Sequence, residues 1–329
     1  MTQNNVLVIL YSAFGDLALC LPALQAVKQH HPGAQLVFLT RQNMADNIKP
    51  FNIFSDFLID RRERPLGASK NEFGKFIARM NQRKFSHVYD LHNNDRSRMH
   101  RLFLKLHQPR ARVTAFHRQK LELYRPVRNP VNKPFNEAVS DFLRQCGVTP
   151  VAADLSAVGE PDAALVAALP ENFAILAPGG SIARGKNSRL WPPRSIKMWP
   201  ARNFAEIARR LHLNGVQPLV VGLEAERNSF NVIRDACPQA IDMLGKTDGA
   251  AFIHLGRRAK LMVAGDTGAA HWANLGGASI VSLFGAKPPA TVWAPPGATV
   301  IQREPLPLLE ADEVWQVVEQ TLDRPQKPQ

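Results

Sequence analysis

Asp16 ends the run Ser12-Ala13-Phe14-Gly15-Asp16, which joins an apolar stretch, Val6 to Leu10, to a helical pattern. A carboxylate at such a junction either caps the helix, stabilising it by about 1 kcal/mol, or serves as a general base, typically adding ~10²–10⁴-fold in rate. Gly15 gives the junction freedom for a tight bend. A second junction, Gly265-Asp266-Thr267-Gly268-Ala269-Ala270-His271, again follows an apolar stretch and opens a helix. Small residues let backbone N–H groups approach a ligand, and the positive end of a helix favours anions. With the Thr267 hydroxyl, and His271 about one turn further on, this spacing suits a diphosphate.

Two more turns belong to the same set. Pro178-Gly179-Gly180-Ser181 precedes a basic loop with Arg184, Lys186, Arg189, Arg194 and Lys197, a pairing of Gly-rich turn and cations that suits phosphate. Val221-Gly222-Leu223-Glu224-Ala225-Glu226 puts a glycine and acids after a strand, where a carboxylate can hold a ribose diol or merely start a helix. The Gly-Lys-Ser/Thr of a Walker loop is absent at the required spacing, and no G-x-G-x-x-G follows the first strand of either half. Both omissions weigh against the commonest ATPase and nicotinamide sites.

Each turn needs a strand before it and a helix behind it, and the chain supplies them in alternation. Val6 to Leu10 reads as a buried parallel strand, Leu17, Leu21, Leu24 and Val27 as a helix, and Leu36 to Thr40 as the next strand. That βαβ order implies a parallel sheet with right-handed crossovers. Phe57 to Ile59 and Val88 to Leu91 extend it, Arg96 to Lys133 shows no clear period, and Asn136 to Cys146 is a helix. After the proline-bounded stretch Val158 to Pro170 the alternation restarts. Strands are expected at Phe173–Ala177, Pro218–Val221, Leu261–Ala264 and Ser279–Phe284. Helices are expected at Asn203–Leu213, Glu226–Ala236, Thr267–Leu275 and Ala311–Leu322. The expected organisation is residues 1–160 and 161–310 as two Rossmann-like α/β domains facing across a cleft, with 311–329 as a C-terminal helix and polar tail. Ligands of such sheets bind outside the carboxyl ends of the strands.

The chain has 41 Lys+Arg against 28 Asp+Glu, a net charge of +13. Residues 1–150 hold 23 basic and 11 acidic side chains, and the remainder 18 and 17. The basic half should therefore meet something anionic. Aromatic residues are sparse in the arginine-rich stretch, which gives base stacking little support, so no nucleic acid is expected. Cys20, Cys146 and Cys237 have neither disulfide-framework nor zinc spacing, which fits a reducing, cytoplasmic setting. No signal peptide or membrane-spanning run is evident, so any membrane contact would be peripheral.

Four blocks, in order, carry a family resemblance: Val6 to Thr40 with Gly15-Asp16 and Leu21-Pro22-Ala23-Leu24; Pro178-Gly179 with Lys197-Met198-Trp199-Pro200 and Asn203-Phe204-Ala205; Gly222 to Glu226; and Gly265 to His271 with Ala273, Gly276 and Leu283-Phe284-Gly285. In these the chain resembles the bacterial heptosyltransferases of the lipopolysaccharide inner core, glycosyltransferase family nine. The resemblance implies a GT-B fold and an inverting, metal-independent transfer of heptose from ADP-heptose, the nucleotide sugar being a substrate and no cofactor being needed. By position, Asp16 would deprotonate the acceptor hydroxyl and Lys197 would neutralise the donor diphosphate. Gly180, Ser181, Asp266, Thr267, Gly268 and His271 would line the donor site, with Glu224 at the ribose. The acceptor, an anionic lipopolysaccharide precursor at the inner face of the inner membrane, would lie against Gly15, Arg61, Arg96, Arg98 and Lys120. Lys197 is chosen because the Asn203-Phe204 helix follows it at the family's usual distance; Arg189 or Lys186, in the same loop, is the alternative for the phosphate cation. Lys287-Pro288 stands where the family often has Thr and Asp. Two other readings remain, a GT-B transferase or epimerase using another nucleotide sugar, and a basic binding module without enzymatic activity. The sequence sets no oligomeric state.

Overall fold

The structure, a computed structural model, describes residues 4–61, 70–92, 94–116, 133–162, 167, 169–179, 198–285 and 289–323. The chain divides into two compact units, Met1–Gly159 and Glu160–Gln329. The boundary falls inside the proline-bounded stretch singled out from the sequence.

In the first unit the strands are β1 (Asn5–Ile9), β2 (Gln35–Thr40), β3 (Asp56–Ile59), β4 (Phe85–Asp90) and β5 (Arg112–Ala115). They form one parallel sheet in the order β3-β2-β1-β4-β5. The helices are α1 (Phe14–His30), α2 (Gln42–Ile48), α3 (Lys70–Asn81), α4 (Asp95–His107) and α5 (Phe135–Gln145). Leu7, Ile9, Val37, Leu39 and Val88 pack on Phe76, Ile77 and Met80 of α3 and Leu104 of α4. β1 is buried along its whole length, as expected of a central parallel strand.

The second unit holds β6 (Phe173–Ala177), β7 (Gln217–Gly222), β8 (Ile241–Leu244), β9 (Met262–Ala264), β10 (Ile280–Phe284) and β11 (Thr299–Gln302). Their order is β11-β10-β9-β6-β7-β8, again parallel. Around them lie α6 (Ala201–Leu213), α7 (Arg227–Ala236), α8 (Gly249–Arg258), α9 (Gly268–Leu275), α10 (Ala290–Trp293) and α11 (Ala311–Leu322). α11 is not a separate appendage: Val314 and Val318 are fully buried in the same core as Leu176, Phe204, Val220 and Val281. The Trp199 indole N–H and the Asn203 amide both donate to the Leu309 carbonyl, at 2.7 and 3.1 Å, tying the starts of α6 and α11 together.

α8 and α9 touch backbone to backbone. A Cβ at Gly256 would lie 2.2 Å from the Ala273 carbonyl oxygen, and one at Gly276 would lie 2.2 Å from that of Ile253. Only glycine permits this approach, and the contact fixes where α9 begins.

The aperiodic reading of Arg96 to Lys133 needs correction, because α4 and β5 lie within it. α4 escapes a hydrophobic template because its buried side carries Arg96, Ser97 and His100 together with Leu104. Residues 117–132, and the polar tail from 324 onward, lie outside the described residues.

Candidate active site

In the second unit the chain crosses from β6 outward to β7 and β8, then returns to β9 on the other side of β6 and runs on to β10 and β11. The crossovers therefore reverse between β6 and β9, the place where such sheets bind nucleotides. Ala177 and Ala264, the last residues of those strands, are register partners. The turns that follow them are neighbours: a Cβ at Gly265 would lie 4.0 Å from the Gly179 carbonyl oxygen. Two of the motifs picked out by sequence thus meet at one point.

Asp266, Thr267 and Gly268 are partly exposed there. Thr267 is the N-cap of α9 in an extended conformation, and its hydroxyl does not cap the helix. The N-terminus of α9 is thus not closed by its own N-cap side chain, and the positive end of a helix favours anions. His271, one turn in, is buried, and its Nδ1 finds no hydrogen-bond partner among the described residues. Burial alone pushes its pKa down to about 4, so the imidazole is neutral near pH 7.

The third strand end brings forward Glu226, which the sequence reading placed in the turn without giving it a role. At the end of β7, Gly222 takes a positive φ of 154°. Glu226 then folds back, its carboxylate accepting the Leu223 N–H at 2.7 Å. It is 4% exposed and lies against Gly179, where a Cβ would come within 2.9 Å of its Cγ. Glu224, the expected ribose ligand, is instead turned outward, with a side chain 67% exposed. Arg227 donates to both its oxygens at 2.7 Å and also pairs with Asp242. Of the two acids of this turn, Glu226 is therefore the one beside the phosphate-type turns. The signal that could have found it is its i,i+4 spacing from Gly222, which returns it to the strand end. Gly180, Ser181, Lys186, Arg189, Lys197 and Lys287-Pro288 lie outside the described residues.

The first unit repeats the arrangement, with its crossovers reversing between β1 and β4. Asp16 is the third residue of α1, not its N-cap, which is Ala13; Gly15 is helical and makes no bend. The Asp16 carboxylate accepts the Ser12 hydroxyl and, at 3.3 Å, the Ala13 N–H. It is partly exposed and thus reachable. Burial, and secondarily the Asp16 charge, push the Cys20 thiol well up, so that Cys20 stays protonated.

Behind this turn sits a buried polar cluster built on the ends of β1, β3 and β4. The Tyr11 hydroxyl is 3.1 Å from His100 Nδ1, and His100 Nε2 is 3.5 Å from the Asp60 carboxylate. Arg96 reaches the same carboxylate at 3.8 Å and lies over the Tyr11 ring. Asp90, wholly buried, pairs with Arg101 at 2.8 Å. Arg96, expected at the acceptor, is thus an interior residue, 4% exposed, which holds Asp60 instead. Arg98 lies on the outer side of α4, paired with Asp95 across one turn at 3.7 Å. Arg61 is exposed beside Asp60, and Lys120 lies outside the described residues. Sequence reasoning missed Asp60 and Asp90, although each directly ends a strand, the position it had used to select Asp266. Among the described residues no group of three or more His, Cys, Asp or Glu side chains is placed to hold a metal ion. None of the described helices is long and apolar enough to cross a membrane.

Residues 192–302 match the family model of glycosyltransferase family 9 (heptosyltransferase). No curated protein sequence matches the chain. Among solved structures, the chain is similar to a glycosyl transferase family 9 protein from Veillonella parvula, with 18% identity over 98% of both chains and a TM-score of 0.72. It is similar to the E. coli heptosyltransferase WaaC with ADP at 18% identity over 96% of this chain and 99% of that one, TM-score 0.72. The E. coli ADP-heptose lps heptosyltransferase II matches at 17% identity over 97% and 98%, TM-score 0.68. The match of residues 192–302 to the family model agrees with the resemblance read from the sequence, and the likeness to these solved structures over 96–98% of this chain shows that it has the GT-B fold.

Proposed function

We propose that the protein is an inverting, metal-independent transferase that moves heptose from ADP-heptose to a lipopolysaccharide inner-core acceptor. The observation that carries this reading is the convergence of Gly179, Glu226 and the N-terminus of α9 at the β6/β9 switch point, within a unit that matches the family model.

In the proposed step Asp16 takes the proton of the acceptor hydroxyl. The resulting oxygen nucleophile forms the new C–O bond at the anomeric carbon, while the bond to the diphosphate breaks on the opposite face. The electron pair leaves with ADP. Negative charge grows on the leaving diphosphate, where donors and cations fixed in advance stabilise the transition state more than the ground state. The α9 N–H groups, the Thr267 hydroxyl and Gly268 supply part of this, with Asp266 shaping the turn and Lys197, Gly180 and Ser181 supplying the rest. His271 at the base of the turn is neutral, so it can offer the diphosphate a hydrogen bond but no positive charge. For the ribose we assign Glu226 in place of Glu224, because Glu226 is the acid folded back against Gly179. The basic first unit, with Gly15 beside the base and Arg61 and Lys120 as cations, receives an anionic, lipid-linked acceptor, which places the enzyme at the cytoplasmic face of a membrane.

The test is transfer by the purified protein from ADP-heptose to a lipopolysaccharide-precursor acceptor, with and without a chelator. Transfer with inversion that survives chelation supports the proposal. Lys287-Pro288, where the family often has Thr and Asp, favours one second reading, a different nucleotide sugar on the same fold. Thermal shifts with ADP, UDP and GDP separate the two.

A further inference from the structure

α4 turns Ser97, His100 and Leu104 inward, where all three are buried. At 3.6 residues per turn the opposite side presents Leu102 and Leu106, which are 59% and 68% exposed. One turn apart, they make an apolar strip facing solvent. Cations border it. Arg98 precedes Leu102 by one turn, Lys105 follows it by one, and Arg110 is exposed just past the helix end. Lys105 is held in place by the Pro109 and Ala111 carbonyls, at 2.8 and 2.7 Å. α3 packs alongside through Phe73, edge-on to Phe103 with ring centroids 5.0 Å apart, and presents Lys75 and Arg79 outward. The single acid of α4 is Asp95, in its first turn.

We propose that this α3–α4 face docks on an anionic lipid surface. Leu102 and Leu106 enter between the head groups, while Arg98, Lys105, Arg110, Lys75 and Arg79 meet lipid phosphates. Exposed leucines ringed by lysine and arginine have the composition of a helix lying in a membrane interface. The centre of a protein–protein contact is, by contrast, depleted in lysine and enriched in tyrosine and tryptophan. Long basic side chains also reach upward while their stems lie on apolar surface, so both sets of residues can be satisfied at one depth. A lipid-linked acceptor is in keeping with this surface, but the inference rests on the first unit alone and is independent of the donor.

The test is co-sedimentation of the full-length protein with vesicles of equal parts phosphatidylglycerol and phosphatidylcholine, and with vesicles of phosphatidylcholine alone. Expected are binding to the first that weakens with salt, and little binding to the second. The double variant Leu102→Ser with Leu106→Ser should bind about tenfold or more weakly, with an unchanged melting temperature because both side chains are exposed. The double variant Lys75→Glu with Arg79→Glu should also bind more weakly and lose part of the salt dependence. Wild-type protein that stays in solution with the anionic vesicles overturns the inference, as does a leucine variant that sediments like wild type. A concentration-dependent dimer in the absence of lipid, abolished by the leucine variant, would also overturn it, since a second copy would then be the occupant. An ADP thermal shift on the same proteins reports the donor assignment separately, so the two readings fail independently.

Discussion

Gly256→Ala probes the packing that sets the position of α9. The added methyl would stand 2.2 Å from the Ala273 carbonyl oxygen, where ordinary contact begins at 3.4 Å. The difference, 1.2 Å, must come from moving α8 and α9 apart, because the atom in the way is backbone and cannot rotate aside. Overpacking of this kind costs about 1–3 kcal/mol. In a unit of this size each kcal/mol lowers the melting midpoint by roughly 2–4 °C, so an upper-end cost gives roughly 6–12 °C. The second consequence concerns the ligand. α9 carries Thr267 and Gly268 at its start, and a displacement of about 1 Å in a site costs on the order of 10²-fold. The assays are thermal unfolding of the variant and the ADP-induced shift in each protein. Gly74→Ala is the control: a Cβ there meets nothing within 4 Å, so it should stabilise α3 by roughly 0.5–1 kcal/mol. A Gly256→Ala protein that melts with wild type and keeps its full ADP shift would refute the close contact and its role in placing the site.

The remaining predictions concern charge. Asp16→Ala should lower turnover by ~10²–10⁴-fold while the ADP-induced thermal shift stays intact; retained turnover would remove Asp16 from the role of base. Glu226→Gln should weaken ADP binding and Glu224→Gln should not, read by titration of the nucleotide; the reverse order would restore the ribose to Glu224. Asp60→Ala leaves Arg96 buried without its carboxylate and should destabilise the protein by about 3–5 kcal/mol, read by urea unfolding. His271 has a folded pKa of about 4 against an ordinary 6.5, so between those values the unfolded chain binds the extra proton. Stability should therefore fall as pH drops from 6.5 towards 4, by about 3 kcal/mol for this residue, and His271→Gln should flatten that slope.

The elements that position the site were legible because their sequences are one-sided. β6 is an unbroken apolar run, β1 is one after Asn5 and β10 is interrupted only by Ser282, and the turns after β1, β6, β7 and β9 announce themselves by glycine, joined by an acid in all but that after β6. What the sequence hid depends on contacts between distant segments. Glu224 and Glu226 differ by two positions and have the same chemistry; only the fold decides that one pairs outward with Arg227 while the other turns in towards Gly179. Arg96 carries the charge of a surface residue, and only the register of α4 against β3 buries it on Asp60. The helix-helix contact at Gly256 and Gly276 was invisible for the same reason, since a glycine does not state which backbone will approach it.

The placement of β6 bears on how the protein can be cut. The segment matched by the family model starts at residue 192, beyond β6, which ends at Ala177. Yet β6 lies between β7 and β9 and is hydrogen-bonded to both. A fragment cut to the family match, residues 192–302, would lose the middle of its sheet, leaving a three-stranded piece (β9, β10, β11) and a two-stranded piece (β7, β8) with raw, unpaired edges. It would also lose α11, whose Val314 and Val318 close the core. An autonomous fragment for crystallisation or ligand screening must reach back to Glu160, because a recognisable stretch of sequence and a self-sufficient folding unit do not share the same ends here.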